Sequence, residues 1–192
     1  MWNAVGRWQG QADPPLSPLG ETQAAEAADR LADVGFSAVV SSDLRRARAT
    51  ADILARPLGL PVVVDPDLRE IDVGDWTGLT RAEIETQWPG ELAEWSEGRS
   101  ESPLGGESRT ALAERARAAM ARAAAAAQPG DHLLVVTHGA LIRNLDRTLG
   151  LPPQPMPNLS GRWYEVDGGG GVHAGVVVSL ADPEERTLSP SP

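Results

Sequence analysis

The chain has 192 residues, 17 basic against 27 acidic, for a formal net charge of −10; every basic residue is arginine, and cysteine is absent. Without cysteine there is no disulfide framework, no thiolate nucleophile and no cysteine-ligated metal, and the acidic balance argues against a nucleic-acid partner. No apolar run approaches the roughly 20 residues that a bilayer crossing needs, and Met1 to Arg7 has no signal-peptide core. The expectation is a cytoplasmic protein without a membrane partner, residues 1–192 forming a single domain.

In chain order, Ser17-Pro18 reads as a helix start, because serine can cap and proline fits the first turn. Ala24, Ala27, Ala28 and Leu31 follow at helical spacing, and Gly35 closes the segment. Ala38 to Ser41 is a short apolar strand. Asp43 to Leu58 returns to helical spacing through Leu44, Ala47, Ala51 and Leu54, with Asp43 as the expected cap. Pro61 to Val64 reads as a second strand. Thr80-Arg81-Ala82-Glu83 matches a capping box and predicts a helix to about Trp88.

Ser96 to Gly106 reads as a loop. Glu107 to Ala127 reads as a long alanine-rich helix ended by Pro129-Gly130. His132 to Thr137 is the strongest strand, and its continuous apolarity suits burial on both faces. A helix from Ala140 to Leu149 follows. Arg162 to Val166 and Val172 to Leu180 read as strands of a hairpin or sheet edge, and residues 183–192 as a frayed Pro/Ser tail. The alternation of strand and helix predicts an α/β fold, a three-layer α/β/α sandwich around a mostly parallel central sheet.

Ligands of such sheets bind beyond the carboxyl ends of the strands. Three strand ends here carry Ser41 to Ala47, Leu68 to Trp76, and Thr137 to Ala140. Taken singly, Arg45 and Arg46 read as solvated helix charges, Glu70 as a turn carboxylate and His138 as a structural histidine. Together they place arginine, a carboxylate and a histidine along one sheet edge, a set that suits a phosphoryl group. Gly139 opens the helix after His138, so backbone N–H groups can add to an anion site. His132 and His173 show no metal-binding spacing, so no metal or other cofactor is expected. The six tryptophans lack regular spacing and read as core and cleft packing.

These segments resemble the histidine phosphatase superfamily, which includes the phosphoglycerate mutase-like phosphatases. The resemblance runs through Trp2-Asn3, Gly6 to Gly10, Asp13 to Ser17 and Leu19 to Ala24. It continues through Ser41 to Ala47 with Thr50, Leu68 to Ile71 with Gly74 to Gly78, Gly105 to Ser108, and Val135 to Gly139. It implies a phosphoglycerate mutase-like fold. It also implies a phosphoric monoester hydrolase acting on a small phosphorylated metabolite through a phosphohistidine, without a metal.

By this resemblance Arg46 clamps the phosphate and Glu70 donates a proton to the leaving oxygen. His138 holds and neutralises the phosphoryl group, and Asn3 hydrogen-bonds the phosphate. Gln9 and Gly10 line the substrate pocket, and Glu107 and Ser108 lie near its mouth. The family nucleophile lies in an Arg-His-Gly-x-Thr segment on a strand before the position of Trp2-Asn3, and the sequence contains no such segment. The expectation is a natural protein longer by on the order of ten residues. A phosphate-binding pseudoenzyme, a substitute nucleophile and a phosphoglycerate mutase are the alternatives. A homodimer is compatible with the sequence.

Overall fold

The computed structural model describes residue 2 and residues 5–181; Asn3 and the 183–192 tail lie outside the described residues. Three parallel strands form the central sheet in the order β2-β1-β3. They are β1 (Phe36–Ser41), β2 (Val62–Val64) and β3 (His132–Val136). Val39 and Val40 of β1 stand beside Val62 and Val63 on one side and beside Leu134 and Val135 on the other. Strands β4 (Ser160–Val166) and β5 (Val172–Ser179) form a separate antiparallel hairpin.

Helix α1 (Pro18–Ala28) starts where serine and proline predict: the Ser17 hydroxyl accepts the Gly20 N–H. With α2 (Arg45–Ala55) it covers one sheet face, where Ala27, Leu54, Val39, Leu134 and Val136 pack. Helix α5 (Arg109–Ala125) covers the other through Ala119 and Ala123 against Val40 and Val135. The period-2 alternation of the strands thus supplies two apolar faces, and the three-layer α/β/α arrangement follows. Helix α3 (Arg81–Gln87) opens with the expected capping box, both of its hydrogen bonds formed.

Two expectations need correction. Asp43 does not cap α2: its carboxylate pairs with Arg69 at 2.5 Å, and the Arg45 N–H goes instead to the Asp13 carboxylate at 2.6 Å. A charge-assisted pair outcompetes a local cap for the same oxygens. Strand β3 is half-buried at every residue rather than buried on both faces. Among the described residues nothing pairs with its outer edge. That edge and β4 line one large cleft of ≈ 2210 Å³.

Beyond the sheet, Ile71, Val73, Trp76, Ile84 and Leu92 join Leu112 and Leu141 in a second core. This core includes α4 (Glu91–Ser96), which the sequence reading left out, and α6 (Gly139–Thr148). The Trp8, Trp76 and Trp95 rings meet edge-on in it, with centroids 5.5–5.8 Å apart. No helix of the described residues is long and apolar enough to cross a membrane.

Candidate active site

The carboxyl ends of β1 and β3 and the loop after β2 deliver the candidate residues to the head of the cleft. Gln9, Gly10, Arg46, Glu70, His138 and Gly139 all line it. The backbone leads directly from each strand into its residue. The Ser42 N–H donates to the Val136 carbonyl at 3.0 Å, and the Thr137 hydroxyl ties β3 to the Leu68 carbonyl at 2.7 Å. Three separate stretches of chain are thereby held at one point.

His138 is 8% exposed, with its Nε2 2.9 Å from the Ser42 Oγ. That hydroxyl in turn accepts the Leu44 N–H at 3.3 Å. Burial, reinforced by the Arg46 and Arg115 charges, pushes the imidazole down to about 3. Removing a cation from water and placing it near other cations disfavours it on both counts. The ring is therefore a neutral hydrogen-bonding group at neutral pH until an anion beside it shifts that balance.

Glu70 is held by backbone rather than by a cation. One carboxylate oxygen accepts the N–H of Ile71 at 3.0 Å and of Leu141 at 3.2 Å, and the other accepts that of Ala140 at 3.2 Å. The N–H groups of the first turn of α6 have no intrahelical partner, and this carboxylate satisfies two of them.

Arg46 stands in the first turn of α2. Its two terminal nitrogens donate to the carbonyls of Ala12 and Gly10, each at 2.8 Å. Burial lowers the basicity of its guanidinium, while Glu70 and Asp13 oppose that shift. Gly10 adopts φ +51°, and a Cβ there would lie 2.7 Å from the Val73 side chain, so glycine is required on both grounds. The neighbouring Arg45 side chain is exposed.

Three supporting residues escaped the sequence reading. Ser42 orients His138, and its only local signal is its position directly after β1. Asp13 caps α2 across 32 positions of sequence. Arg115 donates to the backbone carbonyls of Asp67, Arg69 and Glu70 at 2.6–3.0 Å and pairs with Glu107 at 2.7 Å. It braces the Glu70 loop from the middle of α5, where the sequence shows only one more charge among alanines. Glu107 serves that brace, and Ser108 caps α5 by accepting the Ala111 N–H.

The other histidines stand apart. His132 meets the Trp163 ring edge-on, and His173 pairs with Asp167 at 3.2 Å on the surface. Among the described residues, no group of three or more His, Asp or Glu side chains gathers closely enough to hold a metal ion.

The chain is similar to known phosphatases over most of its length. A protein named glucosyl-3-phosphoglycerate phosphatase from Mycobacterium tuberculosis is 41% identical over 179 residues, which cover 87% of this chain and 80% of that protein. A probable phosphoglycerate mutase from Escherichia fergusonii is 39% identical over 159 residues, covering 79% and 71%. The structure of a mycobacterial glucosyl-3-phosphoglycerate phosphatase with VO3 superimposes with a TM-score of 0.81 at 38% identity, covering 91% of this chain and 92% of that one. The model of the histidine phosphatase superfamily (branch 1) matches residues 1–172. With an arginine, a carboxylate and a histidine gathered at the strand ends of such a sheet, the chain belongs to the histidine phosphatase superfamily.

Proposed function

We propose that the protein is a phosphoric monoester hydrolase acting on a small phosphorylated metabolite through a phosphohistidine. One observation carries this reading: Arg46, Glu70 and His138 meet at the head of a single cleft. Arg46 directs cationic donors towards the phosphoryl oxygens, and His138 hydrogen-bonds them, taking up a proton as negative charge arrives. Glu70 supplies the proton to the departing alcohol. Asn3, Gln9, Gly10 and Gly139 complete the proposed substrate contacts. Such positioning and charge stabilisation is most of what phosphoryl transfer requires.

None of the three histidines fits the attacking role. His138 is committed to Ser42, and His132 and His173 stand apart from the carboxyl end of β3. We assign the nucleophile to a strand seated between the open edge of β3 and β4, which would bring an imidazole beside His138. The phosphoglycerate-directed names of the relatives favour an acid-bearing sugar or glycerate phosphate as substrate.

The test measures phosphate release from p-nitrophenyl phosphate and 3-phosphoglycerate, by this chain and by a form extended upstream with one apolar strand ending in Arg-His-Gly. Turnover with an acid-labile phosphoenzyme in the extended form is the expected result. Retained phosphate binding without turnover in both forms would identify a phosphate-binding protein instead.

A further inference from the structure

Most arginines of this acidic chain find partners. Helix-surface Arg48 and Arg81 meet carboxylates one turn on, and Arg115 and Arg162 are held in part-buried ion pairs. Arg143 and Arg147 of α6 differ. The guanidinium of neither makes a hydrogen bond or ion pair with any described residue, yet both line the cleft that holds Arg46, Glu70 and His138. The only carboxylate of α6, Asp146, is buried and taken by Arg162 at 2.9 Å and the Tyr164 hydroxyl at 2.5 Å.

The placement of the two cations is unfavourable in itself. Residues four apart on a helix share a face, with Cβ atoms about 5–6 Å from each other, and like charges at that spacing destabilise it. Arg143 moreover folds back along α6: its Nη1 lies 3.0 Å from where a Cβ on Gly139 would stand, over the positive end of the helix. Arg147 faces a third cation, Arg109, whose basicity is lowered by burial and by the Arg147 charge. Arg109 is itself fixed by stacking 4.7 Å over the Trp95 ring and by donating to the Trp95 and Ser100 carbonyls. Arg143 and Arg147, without a carboxylate partner among the described residues, thus run along one wall of the cleft from Gly139, while the Glu101 carboxylate acts on Arg109.

We propose that Arg143 and Arg147 form a second anion subsite, which binds an oxyanion carried by the alcohol part of the substrate. Resting on the phosphomonoesterase reading, this specifies the substrate class as small phosphate esters bearing a further carboxylate or phosphate. The guanidinium fork suits either group. The phosphoryl group to be transferred stays at Arg46, Glu70 and His138.

The experiment compares dissociation constants, measured calorimetrically, for glycerol 3-phosphate, 3-phosphoglycerate, glycerol 1,3-bisphosphate and inorganic phosphate. Replacing the terminal CH₂OH by a carboxylate should tighten binding at least about tenfold, and this advantage should fall to about twofold or less in the Arg143→Gln/Arg147→Gln double variant. Arg56→Gln, a change in an exposed arginine that does not line the cleft, should keep the advantage. A bisphosphate that outbinds 3-phosphoglycerate and loses its lead in the double variant assigns the subsite to a second phosphate. No advantage in the unaltered protein, or one that survives in the double variant, overturns the subsite while phosphate binding stands. Absence of binding for all four ligands overturns the phosphomonoesterase reading and the subsite together.

Discussion

The Glu70 carboxylate accepts the N–H groups of both Ala140 and Leu141 at 3.2 Å, so the proposed proton donor also caps the helix that follows His138. One side chain couples the loop after β2 to the position of the neighbouring catalytic candidate. Glu70→Gln keeps an oxygen for one of these bonds and removes the acid. Turnover of the extended enzyme should fall about 10²-fold, the lower range for a positioned proton donor, with a stability loss of about 1 kcal/mol. Steady-state rates and urea unfolding check both, and a wild-type rate would remove Glu70 from the chemistry.

Burial of His138 predicts a pH dependence with a definite sign. Its folded value of about 3 lies below the ordinary 6.5. Between these values the unfolded chain binds a proton that the folded one does not, so stability falls as pH drops from 6.5 towards 3. Lowering the pH from 7 to 5 should cost about 2 kcal/mol through this residue. Urea midpoints at the two pH values should differ less in His138→Gln than in the parent, because that variant lacks the titrating ring. Equal losses would show that the ring titrates normally in the folded protein.

Arg46 clasps two carbonyls of the loop that carries Gly10 and Ala12. Lysine has charge but no fork, so Arg46→Lys should lower kcat/KM by at least about tenfold although the local charge is kept. Arg45→Lys next to it should leave kcat/KM within about twofold. Reversal of that order would mean that the neighbour is the clamp.

Glu107 and Arg115 are 15% and 16% exposed in their side chains, unlike the surface pairs of this protein. Arg115→Met removes donors from three carbonyls and leaves a carboxylate unpaired, and it should cost about 3–5 kcal/mol. A double-mutant cycle with Glu107→Gln should give a coupling above the roughly 1 kcal/mol ceiling of exposed pairs. Turnover should fall as well, because the braced loop carries Glu70.

The amino-acid pattern made most elements legible, since strand and helix periodicity, the Thr80 capping box and the Ser17 cap are local signals. Helix α4 was not legible: it follows Gly90 at φ +89° and spans only six residues, too few to show a period. Arg46, Glu70 and His138 could be nominated because strand ends point to one edge of an α/β sheet. Their supports could not. Asp13 reaches α2 across a loop, Arg115 reaches three carbonyls from another layer, and Asp43 chooses Arg69 over its own helix. Such choices among distant partners depend on packing that no local spacing encodes. Asn3 lies outside the described residues, so its part in the site stays a proposal.

The edge of β3 that no described residue pairs with has a consequence for behaviour at high protein concentration. It presents His132-Leu-Leu-Val-Val136 without the lysines or prolines that usually protect an exposed strand from pairing with another molecule. The net charge of −10 opposes such pairing through a long-range repulsion that salt weakens as the Debye length falls from about 10 Å at 0.1 M to about 3 Å at 1 M. Light scattering should therefore show association that grows with added salt, opposite to the response of an assembly held by ion pairs. A strand seated against β3 should abolish it.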